Sequence, residues 1–166
     1  TFEGLAYWPY DAAYRMTIRL DPPAEVPGAF TGLGGLSGLD SAPARIALPS
    51  SGTHAIAFQR VGRVELVGPM AGQTLSAFWI DGYGGGIFLP FRDATSGGET
   101  YGAGRYVLDT IKAADHGNDP EAGTLTLDFN MAYHPSCAYD PKWSCPLAPS
   151  ENTLRVPVPV GERLRN

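Results

Sequence analysis

The stretch Tyr14-Arg15-Met16-Thr17-Ile18-Arg19-Leu20 decides the class of fold. Apolar and polar side chains alternate along it, so an extended chain would carry apolar groups on one face and arginine and threonine on the other. Such alternation is typical of a β-strand with one buried face. The stretch ends at Asp21-Pro22-Pro23, because proline has no amide hydrogen to donate to a neighbouring strand.

Short segments of similar character recur along the rest of the chain, separated by turns. The 21 glycines and 15 prolines leave little room for long helices. The predicted strands are residues 14–20, 44–48, 54–59, 63–67, 74–80, 87–91, 105–111, 123–129 and 154–160. The last is predicted to be an edge strand, because Pro157 and Pro159 cannot donate to a ladder. The sequence therefore predicts an all-β protein, with one domain over residues 1–166 that forms an antiparallel β-barrel or β-sandwich with long Gly/Pro-rich loops and little helix.

Composition and spacing argue against several classes of function. Lys and Arg number 12 against 17 Asp and Glu, and without a basic cluster no nucleic-acid partner is expected. No apolar run approaches the ~20 residues that a membrane span needs. The glycine-rich run at 31–39 lacks the flanking strand and helix of a phosphate-binding loop. The histidines and cysteines do not have metal-ligand spacing, and neither a metal nor a cofactor is predicted.

The densest chemistry lies in residues 90–106, which contain two arginines, two acids and four glycines. Two interpretations of this stretch stay open. In the first, Arg92 or Arg105 pairs with Asp93 or Glu99, so that the charges lock the loop. In the second, Arg105 holds a small anionic ligand and tyrosines line a polar pocket around it.

A second dense stretch, residues 128–139, and the nearby Trp143 complete the predicted site. The leading hypothesis is a non-catalytic ligand-binding or accessory module with a pocket lined by tyrosine and arginine. The candidate binding residues are Arg92, Asp93, Thr95, Ser96, Glu99, Tyr101, Arg105, Tyr106, Asn130, Tyr133, Tyr139 and Trp143.

Two other functions remain as alternatives. One is a small hydrolase that uses Asp93, Glu99 or Asp128 as acid or base and Arg105 on an anion. No catalytic residue is assigned, because the chain lacks a GxSxG nucleophile elbow. The other is a structural subunit of a larger complex, which would have a protein partner.

Cys137 and Cys145 enclose a short loop and permit three states. A disulfide would stabilise the fold by about 2.5 kcal/mol in the chain-entropy description and would indicate an exported protein. Two reduced thiols would indicate a cytoplasmic one. A metal site with His134 is the weakest alternative, because these side chains fall short of four ligands.

Three motifs resemble the DUF1684 family, a domain of unknown function. They lie at residues 89–106, at 128–139 and at 145–152, and so cover mainly the C-terminal half. The resemblance implies a small β-rich domain found in prokaryotes and supplies no activity. Where the family pattern leads one to expect asparagine before Pro135, this chain has His134.

Overall fold

The computed structural model describes residues 4–21, 45–53, 56–80, 86–110, 114–119 and 121–165. The glycine-rich run at 31–39 lies outside these ranges, as do residues 44, 54 and 111 at the ends of three predicted strands. The strands are β1 Ala6–Tyr7, β2 Arg15–Asp21, β3 Arg45–Leu48, β4 Ile56–Glu65, β5 Thr74–Ile80, β6 Ile87–Phe91, β7 Arg105–Asp109, β8 Asn118–Asp119, β9 Thr124–Asp128 and β10 Glu162–Arg163. The 3₁₀ turns with all their residues described are Ala12–Tyr14, Gly68–Met70, Phe129–Met131, Ser136–Ala138 and Ser150–Asn152.

The strands form one large antiparallel sheet and one small ribbon. The large sheet has the order β7-β6-β5-β4-β2-β9-β8, and β3 pairs with the first half of β4. It curls into a half-barrel, which confirms the predicted all-β class. The ribbon joins β1 to β10 and so brings the two ends of the described chain together. None of the helical segments in the described ranges is long and apolar enough to cross a membrane.

Strand β2 confirms the alternation that predicted it. Met16, Ile18 and Leu20 are buried, and the residues between them are exposed. The strand pairs with β9, where Leu125 and Leu127 are buried on the same alternation. The sheet therefore presents apolar side chains to the interior here and polar side chains to solvent.

The predicted strands at 54–59 and 63–67 are in fact one long strand, β4. Gly62, which separates the two predicted strands, lies within β4, next to a shift in the pairing with β5. A Cβ atom at Gly62 would come within 2.6 Å of the Leu20 side chain. Glycine thus permits the close approach of β2 at this bulge and does not end the strand.

The predicted edge strand at 154–160 is wrong. Residues 154–160 do not form a β-ladder with a neighbouring strand. Thr153, just before them, makes one isolated β-bridge, to Arg92. Pro157 and Pro159 remove two amide donors, and the carbonyls of Val158 and Val160 accept hydrogen bonds from a side chain instead. The segment thus accepts hydrogen bonds from a buried charged side chain and does not pair with a strand.

The buried side chains form two clusters on opposite faces of the sheet. Along β5, Leu75 and Ala77 join the larger cluster, whereas Phe78 and Ile80 join the smaller one. Successive side chains of a strand point to opposite faces, so the strand carries both cores. The smaller cluster consists of Leu48, Phe58, Phe78, Ile80, Phe88 and Tyr106.

Candidate functional site

A buried ion pair joins the loop after β6 to the first residue of β7. Arg105 and Asp93 lie 3.4 Å apart, with their side chains 0% and 1% exposed. Buried charges are tolerated only when they are paired and hydrogen-bonded. The pairing of Arg105 with Asp93 matches the first of the two sequence interpretations, in which the loop is locked by its own charges.

The guanidinium of Arg105 also binds the C-terminal segment. It donates to the carbonyls of Val158 at 2.8 Å and of Glu162 at 3.1 Å, and to that of Val160. Burial lowers its pKa to about 10, and the negative charges of Asp93 and Glu162 oppose that shift. Arg105 is therefore a cation at neutral pH, with its donors directed at the protein's own backbone.

Asp93 is equally well satisfied. Its carboxylate accepts hydrogen bonds from the hydroxyls of Thr95 and Ser96 and from the amide of Val158 at 2.6 Å. Thr95 also shares a 3.0 Å hydrogen bond with Thr100. The carboxylate thus organises the turn around itself, as Asp and Ser commonly do in loops.

The remaining predicted residues lie in several places. Arg92 is exposed and donates to the carbonyl of Gly102 at 3.1 Å, and Glu99 is also exposed. Asn130 is buried and exchanges hydrogen bonds with the backbone of Asp11. The Tyr101 hydroxyl lies 3.9 Å from the sulfur of Cys137. The predicted set is therefore not one cleft.

A second buried polar residue, Asn152, joins two strands to the C-terminal segment. Its amide nitrogen donates to the carbonyls of Ser76 and Pro90, and its oxygen accepts from the Ser76 amide. The backbone carbonyl of Asn152 also accepts a hydrogen bond from the amide of Arg92, in the loop between β6 and β7. Asn152 ends the 3₁₀ turn Ser150–Asn152, whose N-cap Pro149 makes no side-chain hydrogen bond.

A cavity of about 520 Å³ lies on the face of the sheet that carries the smaller cluster. Its wall is formed by four neighbouring strands, β4, β5, β6 and β7, and the segment 136–146 closes the opposite side. The lining residues are Ile56, Phe58, Ile80, Phe88, Tyr106, Asp109, Ser136, Trp143, Ser144, Cys145 and Pro146.

Aromatic rings dominate the cavity wall. Phe58 stacks on Phe88 with ring centroids 5.5 Å apart, and Phe88 meets the edge of Tyr106 at 4.6 Å. The Tyr106 hydroxyl donates to the carbonyl of Pro146 and so links the strand wall to the segment 136–146, which we call the covering segment. Trp143 is 52% exposed although it lines the cavity, which places it at the boundary with solvent.

One charged side chain, Asp109, faces this apolar wall. It is 4% exposed, and one of its oxygens accepts a hydrogen bond from the Tyr133 hydroxyl at 3.1 Å. The other oxygen, Oδ1, has no hydrogen-bond partner in the described part of the chain. A buried carboxylate oxygen without a donor is costly, because it has lost its water and gained nothing in exchange.

The cavity tyrosines are held in the neutral form. Burial raises the pKa of Tyr106 and of Tyr133 well above the ordinary value. Negative charge on the neighbouring Cys145, Cys137, Tyr133 and Asp109, when these groups are ionised, raises the pKa of Tyr106 further. These hydroxyls are thus donors at physiological pH, and neither is a base.

The covering segment contains both cysteines as separate buried thiols. The amide of Cys137 donates to the sulfur of Cys145 at 3.4 Å. The segment is anchored to the strand side by Ser51, whose backbone and hydroxyl pair with Cys145. The structure has no bond between the two sulfurs, so the disulfide alternative is not supported.

His134 is a buried structural residue. Its Nε2 accepts a hydrogen bond from the amide of Tyr101 at 3.3 Å, which places the proton of the neutral ring on Nδ1. From there Nδ1 faces the hydroxyl of Tyr139 at 3.3 Å and the carboxylate of Glu162 at 3.4 Å. Among the described residues, no three or more His, Cys, Asp or Glu side chains are grouped to hold a metal ion.

The cavity brings together few of the residues that the sequence singled out. Tyr106 and Trp143 line it, Tyr133 reaches it through Asp109, and Cys145 lies in its wall. The sequence reasoning missed Asp109 and the aromatic pair Phe58 and Phe88. Their only sequence signal was a position on a predicted strand, which is also the signal of an ordinary core residue.

The fold and the cavity together define an all-β half-barrel protein with an aromatic-lined cavity beside its sheet. The chain belongs to the family described as Protein of unknown function (DUF1684), whose sequence profile matches residues 1–163. The match confirms the resemblance seen in three motifs and extends it over the N-terminal half. No curated protein matches the chain.

A solved structure is also similar to this chain. It is the solution NMR structure of the uncharacterized protein from gene locus rrnAC0354 of Haloarcula marismortui, with 27% sequence identity and a TM-score of 0.64. The similarity covers 98% of this chain and 77% of the other. The relative is itself uncharacterized, so it supports the fold and leaves the function to be argued from the cavity.

Proposed function

We propose that this protein is a small-molecule-binding module whose ligand occupies the cavity between β4–β7 and the segment 136–146. One observation carries the proposal: a space of about 520 Å³ that is lined mainly by aromatic and aliphatic side chains, with two serines, one thiol and the buried carboxylate of Asp109. Ligand pockets typically have this size and this mixture of apolar wall and few polar groups. A ligand with an apolar or aromatic body would bury its surface against Phe58 and Phe88 and gain the hydrophobic free energy of that contact.

The structure favours this cavity over the loop around Arg105 as the place of binding. The donors of Arg105 point at Asp93 and at backbone carbonyls, and its side chain is fully buried. An anion would have to displace those partners before it met the guanidinium. The role of Arg105 as an anion clamp stays a prediction from the sequence without geometric support.

The hydrolase alternative has less support. Asp93 binds Arg105, and Asp128 caps a 3₁₀ turn and pairs with Arg15. Glu99 is exposed on the loop and does not line the cavity. The three acids proposed for acid–base chemistry thus do not converge on the cavity, and binding is the function we propose.

The first test is a titration of isotope-labelled protein with 2-phenylethanol, a neutral aromatic probe, followed by amide chemical shifts. We expect saturable shifts confined to the cavity strands and to the segment 136–146. Trp143→Ala should weaken binding about fivefold or more, because a large aromatic contact is lost at the cavity edge.

Tyr10→Ala is the matched control, because Tyr10 is an exposed aromatic residue that does not line the cavity. This substitution should leave the dissociation constant unchanged. Shifts scattered over the surface, or equal effects of the two substitutions, would contradict the proposal.

A further inference from the structure

The carboxylate of Asp109 is the feature of the cavity that the proposed function leaves unexplained. A residue needed only to fill space would be apolar, and a residue needed only to hold the Tyr133 hydroxyl would use one oxygen. Here Oδ2 holds that hydroxyl, while Oδ1 is buried and lacks a hydrogen bond to any described residue. The vacant acceptor identifies a place where a donor from outside the chain would be stabilised.

No positive group of the described chain lines the cavity to balance this carboxylate. The lining set contains no Lys, Arg or His among the described residues. The cation next to the cavity edge is Lys142, and its ammonium lies 2.7 Å from the carboxylate of Asp140. Among the described residues, the cavity is thus lined mainly by apolar side chains and two serines, with the carboxylate of Asp109 and no cation to balance it.

The aromatic side chains of the cavity wall, like the carboxylate of Asp109, favour a positively charged ligand. The faces of tryptophan, tyrosine and phenylalanine rings attract cations through their quadrupoles. Trp143 already shows this, because the Lys142 ammonium lies 5.2 Å from its ring centroid. An anion in the cavity would lie beside the carboxylate of Asp109, and the two negative charges would repel each other.

Resting on the proposed function, we infer that the ligand is an amine: an apolar or aromatic body that carries a protonated nitrogen. The nitrogen donates to Oδ1 of Asp109 while the body contacts Phe58 and Phe88. Tyr133 orients the carboxylate by holding Oδ2. This assigns the cavity a ligand of the opposite charge to the small anionic ligand that the sequence suggested.

The test compares three probes of similar shape and different charge at pH 7. They are 2-phenylethylammonium, 2-phenylethanol and 3-phenylpropanoate, titrated into wild-type protein and followed by amide chemical shifts. We expect the ammonium to bind about tenfold to a hundredfold more tightly than the alcohol, as a charge-assisted hydrogen bond predicts. The propanoate should bind most weakly of the three.

Asp109→Asn removes the charge and retains the size of the side chain. It should weaken binding of the ammonium by about tenfold or more and leave the alcohol within about twofold. Asp21→Asn is the control, because Asp21 is an exposed acid on β2 and lies outside the cavity lining. It should leave all three dissociation constants unchanged. If Asp109→Asn does not fold, the ranking of the probes on wild-type protein still decides.

The outcomes separate the two proposals. Equal binding of ammonium and alcohol to wild-type protein would overturn the amine inference and leave the binding cavity standing. Tightest binding of the propanoate would also overturn it and would favour the anionic ligand. Absence of saturable shifts from every probe would overturn the proposed function, and the inference with it.

Discussion

Arg105 shows how functional-looking chemistry can serve the fold. A guanidinium offers five donors in a fixed plane. Here the two terminal nitrogens bind one carboxylate and three backbone carbonyls, whereas Nε has no hydrogen-bond partner among the described residues. Trp8 and Phe91 place their ring faces within 5.5 Å of the same group. A single residue thus ties the loop after β6 to the C-terminal segment.

Replacing Arg105 by methionine should destabilise the protein strongly. The substitution leaves Asp93 as a buried charge without its partner, a change that costs about 3 to 5 kcal/mol. Arg92→Met is the control, since Arg92 is exposed and makes a single hydrogen bond to Gly102, so a cost of about 1 kcal/mol or less is expected. Equilibrium unfolding in urea measures both, and similar costs for the two variants would contradict the structural role of Arg105.

Tyr106 should make stability fall in alkaline solution. Burial raises its pKa above the ordinary value of 10.0, so the folded protein keeps a proton that the unfolded chain loses. The stabilisation is fully present below about pH 10 and is lost as the pH rises above it, by about 1.4 kcal/mol per pH unit. Urea unfolding of wild type and Tyr106→Phe between pH 9 and 11 tests this.

The wild-type free energy of unfolding should decline more steeply than that of Tyr106→Phe, which has no hydroxyl to ionise. Tyr10→Phe is the control for general effects of tyrosine ionisation, because Tyr10 is exposed. Parallel declines for wild type and Tyr106→Phe would show that burial of the hydroxyl does not shift the equilibrium.

At the scale of elements, strands with a simple alternation or a short apolar run were predictable from sequence. Strands β5 and β6 have the predicted bounds, and β9 differs from its prediction by one residue at each end. Alternation encodes which face is buried, and burial is what holds such a strand in a sheet. The segment 154–160 failed this reasoning because its partners are a distant guanidinium and not a neighbouring strand.

The start of β7 depends on Gly104. This residue has φ +101°, and a Cβ atom there would lie 2.3 Å from the carbonyl oxygen of Phe91. Gly104→Ala should therefore be destabilised by backbone strain and by this clash. Gly72→Ala is a matched control, because Gly72 has φ +79° and open space around it.

We expect a cost of about 1 to 2 kcal/mol for Gly72→Ala, from the strained conformation alone. Gly104→Ala should lower the free energy of unfolding by more than this, because the new methyl group also clashes with the carbonyl oxygen of Phe91. Thermal unfolding of both variants measures the difference, and equal costs would mean that the backbone at Gly104 relaxes freely.

Asn152 joins β5 and β6 to the C-terminal segment through one side chain. Asn152→Ala leaves buried backbone groups of Ser76 and Pro90 without partners, which should cost at least about 3 kcal/mol. Asn118→Ala on the exposed strand β8 is the control and should cost little. Hydrogen exchange of the Ser76 amide gives a local readout, and unchanged protection there would argue against this role.

At the scale of the whole molecule, the cavity could not be predicted from the sequence. Its wall takes side chains from four strands, and its other side comes from residues 136–146. Phe58 and Phe88 become neighbours only through the pairing of β4, β5 and β6. Tyr106 and Trp143 were found because they lie in or near chemically dense stretches, whereas Asp109 lies at the end of a strand with no local motif.

Ligand binding should stabilise the whole fold. At ten times its dissociation constant, 2-phenylethylammonium should add about 1.4 kcal/mol to the free energy of unfolding. For a chain of this length that corresponds to a rise of about 3 to 5 °C in the melting temperature. Differential scanning calorimetry measures the shift, and it should shrink for Trp143→Ala at the same probe concentration. A melting temperature independent of the probe would contradict binding to the native state.

The hydrogen bonds from Arg105 to the C-terminal segment also order events during synthesis. A ribosome delivers Arg105 to the growing chain well before Val158, Val160 and Glu162, whose carbonyls receive its donors. Until those residues leave the exit tunnel, the guanidinium lacks the three backbone carbonyls that accept its hydrogen bonds. We therefore expect folding to be completed only after translation has passed Glu162, and chains halted earlier to expose surface that chaperones recognise.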